Sequence, residues 1–118
     1  MATLKDMLQE IITIEGIRTA VLVGRDGFVI EGTSRDGRLN TEDVGAVIST
    51  GIGSSEVIGR ELRVGDLLQG MFEYSAGVIV MVLVGTDAVL ALVADLNTNL
   101  GNIRYQLKKR VPLIEKAL

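Results

Sequence analysis

The sequence predicts an α/β domain in the order α-β-β-α-β-β-β-α, with a five-stranded, mainly antiparallel sheet and helices on both faces. Three observations carry that prediction. Two seven-residue apolar runs, Val78 to Val84 and Ala88 to Ala94, flank the turn chemistry of Gly85-Thr86-Asp87 and have strand length. Both runs are apolar at every position, so a sheet built on them needs cover on both sides. Segments with helical spacing at the start, middle and end of the chain supply that cover.

The elements follow in order. Thr3 and Asp6 form a T-x-x-D capping box, and Leu4, Met7, Leu8 and Ile11 recur at helical spacing up to a stop signal at Glu15-Gly16. Ile17 to Gly24 reads as a strand, Arg25-Asp26-Gly27 as a hairpin turn, and Phe28 to Thr33 as the returning strand. Glu31 and Thr33 place that strand at a sheet edge. Ser34 to Leu39 is a polar loop. Asn40, with Asp43 three residues on, is expected to cap a second helix that runs to about Leu62. Its core stripe is expected to be Val44, Ile48, Ser55, Ile58 and Leu62. After a turn near Gly65-Asp66 the third strand runs from Leu67 to Tyr74, with Gln69 and Glu73 marking a second edge. Asp95 to Asn99 is a cluster of capping residues, and Leu100, Ile103, Leu107, Val111, Ile114 and Leu118 define the last helix. Pro112 is expected to kink it or to start a separate last turn.

The chain has 118 residues and reads as a single domain over 1–118. It contains no histidine and no cysteine, which excludes a Ser-His-Asp triad, a Cys nucleophile, zinc held by N or S ligands, and a disulfide framework. The net charge of −3 gives no footprint for nucleic acid. Gly77 to Ala94 is as apolar as a membrane span, but Asp87 and a turn would sit at the bilayer centre, so a buried hairpin is expected and no membrane insertion. No basic n-region followed by an apolar h-region opens the chain, and a cytoplasmic location is the expectation.

The search for chemistry returns little. Gly51-Ile52-Gly53-Ser54-Ser55-Glu56 has Glu56 where a dinucleotide fingerprint needs glycine, and it lies inside a helical pattern. Asp26, Asp36, Asp66 and Asp87 fall in turn sequences, where they bond their own backbone. Glu42 and Asp43 suit a helix first turn, and Lys108-Lys109-Arg110 suits a helix end. No catalytic group, metal or cofactor is expected, and the chain is read as no enzyme.

The second helix is the informative segment. It carries Gly45, Ala46, Ser49, Thr50, Gly51, Gly53, Ser54, Ser55 and Gly59, although each mid-helix glycine costs about 1 kcal/mol relative to alanine. Ala46, Ser49 and Gly53 fall away from the expected core stripe, so their smallness points to a second backbone packing closely outside. Leu67 to Tyr74 is apolar on one face and carries no Lys or Pro guard, which suits pairing with a symmetry mate.

Val21 to Gly32 (VLVGRDGFVIEG), the small-residue helix after it, the strands from Leu67 to Ala94 and the closing helix together resemble the roadblock family of dynein-light-chain-like domains, a roadblock/profilin-like fold. The resemblance extends to prokaryotic members of MglB type, which regulate small Ras-like GTPases. It implies a scaffold or regulator that forms a homodimer, or a heterodimer with a paralogue. Carried over by position, the dimer surface is Gly45, Ser49, Ile52 and Gly53 of the second helix with Gln69, Met71 and Glu73 of the third strand. Ala46, Glu56 and Arg60 would face the small Ras-like GTPase. A small-ligand sensor of related α/β/α fold is the alternative, and it requires an apolar pocket between sheet and helix.

Overall fold

The computed structural model describes residues 2–37 and 41–118. Eight elements occur in the expected order: α1 (Leu4–Ile11), β1 (Ile17–Gly24), β2 (Val29–Ser34), α2 (Thr41–Glu61), β3 (Gln69–Tyr74), β4 (Gly77–Val84), β5 (Ala88–Ala94) and α3 (Leu100–Ala117). The strands form one sheet in the order β2-β1-β5-β4-β3, and every ladder in it is antiparallel. The apolar stretch from Gly77 to Ala94 is the β4–β5 hairpin, and among the described residues no helix is long and apolar enough to cross a membrane.

Alternation along the strands sorts side chains to two faces. Ala20 and Leu22 of β1, Val80, Val82 and Val84 of β4, and Leu90 and Leu92 of β5 meet Leu8 and Ile11 of α1 and Ile103, Leu107 and Ile114 of α3 in one core. The opposite face buries Val21 and Val23 of β1 with Val89 and Ala91 of β5, and Ile52 of α2 is buried there too. The two edges are β2 and β3, the strands that the polar residues Glu31, Thr33, Gln69 and Glu73 mark as edges.

Local chemistry explains the ends. Thr3 and Asp6 make both halves of the capping box, each bond at 3.1 Å. The helix stops at Ile11 rather than running on to Glu15-Gly16, and Gly16, at φ +91°, instead turns the chain into β1. The Arg35 guanidinium, at the end of β2, donates to the freed Ile12 carbonyl from Nε at 2.9 Å and also from Nη2. Asn99 caps α3, which continues through Pro112 without a separate last turn. Proline there withholds only the one N–H that would reach the Lys108 carbonyl. Asn40 and the end of the loop at Leu39 lie outside the described residues.

The C-terminus of α2 closes with paired bonds, Val64 N–H to Gly59 O at 3.0 Å and Arg63 N–H to Arg60 O at 3.1 Å. This is a Schellman closure, and it puts Arg63 at φ +57° in a place that favours glycine. A left-handed L-residue costs about 1–2 kcal/mol. Arg63→Gly is therefore expected to raise the unfolding free energy by about 1 kcal/mol, read from urea denaturation of the two proteins side by side.

Candidate interaction surface

The second helix is fixed to the sheet at one end of the β1–β2 hairpin. The turn there is tight: Gly24 N–H donates to Phe28 O at 2.8 Å, Gly27 N–H donates to Gly24 O at 2.9 Å, and Gly27 sits at φ +90°. Gly45 lies directly on this turn. A Cβ at Gly45 would stand 2.2 Å from the Gly27 carbonyl oxygen, and one at Gly27 would stand 3.7 Å from Cα of Ala46. Ser49 Oγ donates to the Arg25 carbonyl at 2.6 Å. Gly45 and Ser49 are thus both used inside the chain; for Ser49 this corrects the expectation that its smallness serves a backbone packing from outside. Gly53 differs: it is exposed, with open space where a side chain would go.

An ion pair braces the same corner. The Arg25 guanidinium grips the Glu56 carboxylate with two bonds, 2.6 and 2.8 Å, and its Nε donates to the Thr86 carbonyl in the β4–β5 turn at 2.6 Å. This hydrogen bonding holds the Glu56 carboxyl below its ordinary value, with smaller help from the charge of Arg60. Arg25 is correspondingly held in its charged form. Arg60 itself is exposed.

From that corner α2 extends over only part of the sheet. Val44 and Ile48 turn toward it and Ile52 is buried at 3% exposure. The rest of the expected stripe is not core: Ile58 is 58% exposed and Leu62 is 69% exposed, because the C-terminal half of the helix finds no sheet within the chain to lie on. Conversely, the helix does not close tightly on the sheet face beside its N-terminal half. Ile79 and Val93, with Val21 and Ala91, floor an apolar cavity of about 300 Å³ whose wall is Val44, Val47 and Ile48. Val47, Phe72 and Tyr74 add exposed apolar surface to the same side, and the exposed Leu68 lies beside the α3 groove.

The strand edge completes the surface. Gln69, Met71 and Glu73 project to the face of α1 and α3, where Met71 packs against the core and Glu73 is exposed. Gly70, Phe72 and Tyr74 project to the α2 face. Of the residues singled out from sequence, Gly45 and Ile52 are buried, Ser49, Gln69 and Met71 are half-buried, and Ala46, Gly53, Arg60 and Glu73 are exposed. Glu56 is spent on Arg25. Sequence reasoning missed Arg25, Val47, Phe72 and Leu68. Only the apolar character of the last three, in a helix and an edge strand, signalled them. No group of three or more acidic side chains is placed to hold a metal among the described residues.

What these surfaces define first is a class: a layered α/β domain whose sheet ends on an open strand and a partly uncovered apolar face. The chain belongs to the Roadblock/LC7 domain family, whose family model matches residues 3–94. The uncharacterized protein MJ0310 of Methanocaldococcus jannaschii is 35% identical over 109 residues, which cover 92% of this chain and 94% of that one. MglB of Myxococcus xanthus has the same fold, with a TM-score of 0.89 at 17% identity, over 96% of this chain and 92% of that one. A Roadblock/LC7 domain of Streptomyces avermitilis superposes with a TM-score of 0.88 at 18% identity, over 98% and 97%.

Two predictions follow from the corner contacts. Gly45→Ala is expected to destabilise the fold by about 1–3 kcal/mol through overpacking against the turn, while Gly53→Ala is neutral or stabilising by up to about 1 kcal/mol; chemical denaturation of both variants compares them. The Glu56 carboxyl is lowered from 4.5 in the folded chain, so its contribution is complete above that pH and is lost as pH falls through the folded value below it. The stability gap between wild type and Glu56→Gln is therefore expected to be flat from about pH 6 to 8 and to shrink below about pH 4.5.

Proposed function

We propose that the chain is a non-enzymatic interaction module that dimerises through α2 and β3 and, as a dimer, binds and regulates or scaffolds a small Ras-like GTPase. The observation that supports this reading best is the pair of incompletely matched apolar surfaces: a helix half with no sheet beneath it, at Ile58 and Leu62, and an open apolar cavity on the sheet, floored by the half-buried Ile79 and Val93. A second copy related by a two-fold axis normal to the sheet serves both at once. Antiparallel pairing of β3 with its mate keeps the two α2 helices on one face, where each can lie over the other's open half. Gly53, with open space beside it, lets the helices approach closely.

The GTPase is proposed on the family resemblance. Its docking surface is the outer side of the helix pair, with Ala46, Glu56 and Arg60 from each copy. Arg25 holds Glu56 in place, so a partner would meet a pre-set carboxylate beside an exposed Arg60. The cavity of about 300 Å³ supports a second reading, a site for a small apolar ligand between α2 and the sheet.

Sedimentation and co-elution with a GTPase test the first reading, and thermal stabilisation by small apolar compounds tests the second. The wild type is expected to sediment as a dimer at micromolar concentration and to co-elute with the GTP-bound form of a Ras-like GTPase from the same organism. Leu62→Glu, at a site already exposed in the single chain, is expected to give a folded monomer that no longer co-elutes. A wild-type monomer stabilised by small apolar compounds would instead favour the ligand site.

A further inference from the structure

The open edge of β3 dictates how a second copy must sit on it, granted the dimer proposed above. In an antiparallel ladder, residues alternate between those that exchange hydrogen bonds with the neighbouring strand and those that turn their backbone groups away. Leu83 N–H donates to Leu68 O at 3.1 Å, in line with the Gln69–Val82 register of the β3–β4 ladder. Leu68 is therefore in the bonded phase, as are Gly70, Phe72 and Tyr74. Gln69, Met71 and Glu73 turn their N–H and C=O groups outward, toward whatever pairs with the edge.

A two-fold axis then leaves one register in which all three outward residues find outward partners. Met71 faces Met71 of the second copy, and Gln69 faces Glu73 of the second copy. A slide of one bonded pair in either direction strips one of the three of its partner within the strand. On the α2 face the same register sets Gly70, against which Phe72 of its own strand already packs, opposite Phe72 of the second copy.

The consequence lies on the other face. Gln69 lines a groove with Arg104 and Lys108, which stand one turn apart on α3. Neither cation makes an ion pair among the described residues, and neither does Glu73. The helix they occupy carries five basic residues against one acidic in a chain whose net charge is −3, and of the five only Arg110 has an ion pair among the described residues, with Glu10. We propose that Glu73 of each copy docks beside Gln69 of the other and accepts hydrogen bonds from Arg104 and Lys108 there. This ion pair is made twice per dimer and fixes the register of the continuous sheet. In either shifted register Glu73 faces Leu67 or Met71 and moves away from the groove.

The chain has no native cysteine, which permits a direct test. Bonded antiparallel neighbours lie about 5.5 Å apart at Cα, within disulfide reach. Met71→Cys is expected to cross-link on oxidation into a covalent dimer, while Gly70→Cys and Phe72→Cys are not. Glu73→Lys and Lys108→Glu are each expected to raise the dimer dissociation constant about tenfold, with the double exchange restoring much of it. A dimer that ignores both charge reversals, or that cross-links through Gly70→Cys or Phe72→Cys instead, overturns this ion pair and leaves the dimer standing. A wild type that stays monomeric overturns the dimer reading itself, and the ion pair with it.

Discussion

Everything in this fold depends on a sheet whose middle strands are apolar on both faces. Strands β1, β5 and β4 cannot leave either side in water, so the chain must cover both. It does so unevenly. On one face α1 and α3 together seal a core that includes Leu22, Leu90, Leu92 and Ile103, all fully buried. On the other face a single helix has to serve, and it serves only part of the sheet. The uncovered remainder is the surface on which the proposed second copy would lie.

The position of α2 is what makes the shortfall lie where it does. Gly45 on the Gly27 carbonyl, Ser49 on the Arg25 carbonyl and Glu56 in the Arg25 guanidinium hold the helix against the hairpin turns at one end of the sheet. Pinned there, its C-terminal turns carry Ile58 and Leu62 into solvent, and a gap of about 300 Å³ stays open between its N-terminal half and Ile79 and Val93. Packing at the corner therefore determines geometry at the far end of the helix. The small residues and the exposed apolar ones are two results of one placement.

The sequence makes the sheet legible because strand length, double-sided hydrophobicity and turn residues all agree at β4 and β5. It marks both edges, through Glu31 and Thr33 at β2 and through Gln69 and Glu73 at β3. It is less informative about α2. Periodicity identifies a stripe at Val44, Ile48, Ile58 and Leu62 but does not say how far the sheet reaches beneath it, so the stripe looks uniform where burial is not. Ile52, which the resemblance implies on the dimer surface, is buried, since one helical turn beyond Ile48 still lies over the sheet. The need for glycine at position 45 comes from a turn eighteen residues earlier in the chain, a contact that no local pattern can display.

The two edges also differ in a way that limits assembly. At β2 the register with β1 shifts at Leu22 and Val23, and such a bulge twists an edge away from further pairing. Arg35, just past its end, is drawn onto the Ile12 carbonyl rather than left for a neighbouring strand. At β3 the register with β4 is regular from Gln69 to Tyr74, and only Glu73 carries charge. A chain with one blunted edge and one regular edge can pair once with a copy of itself and then has only blunted edges left. Pairing at β3 across a two-fold axis is thus closed rather than open-ended. The features that make β3 hazardous in isolation are the ones that would end in a finite dimer.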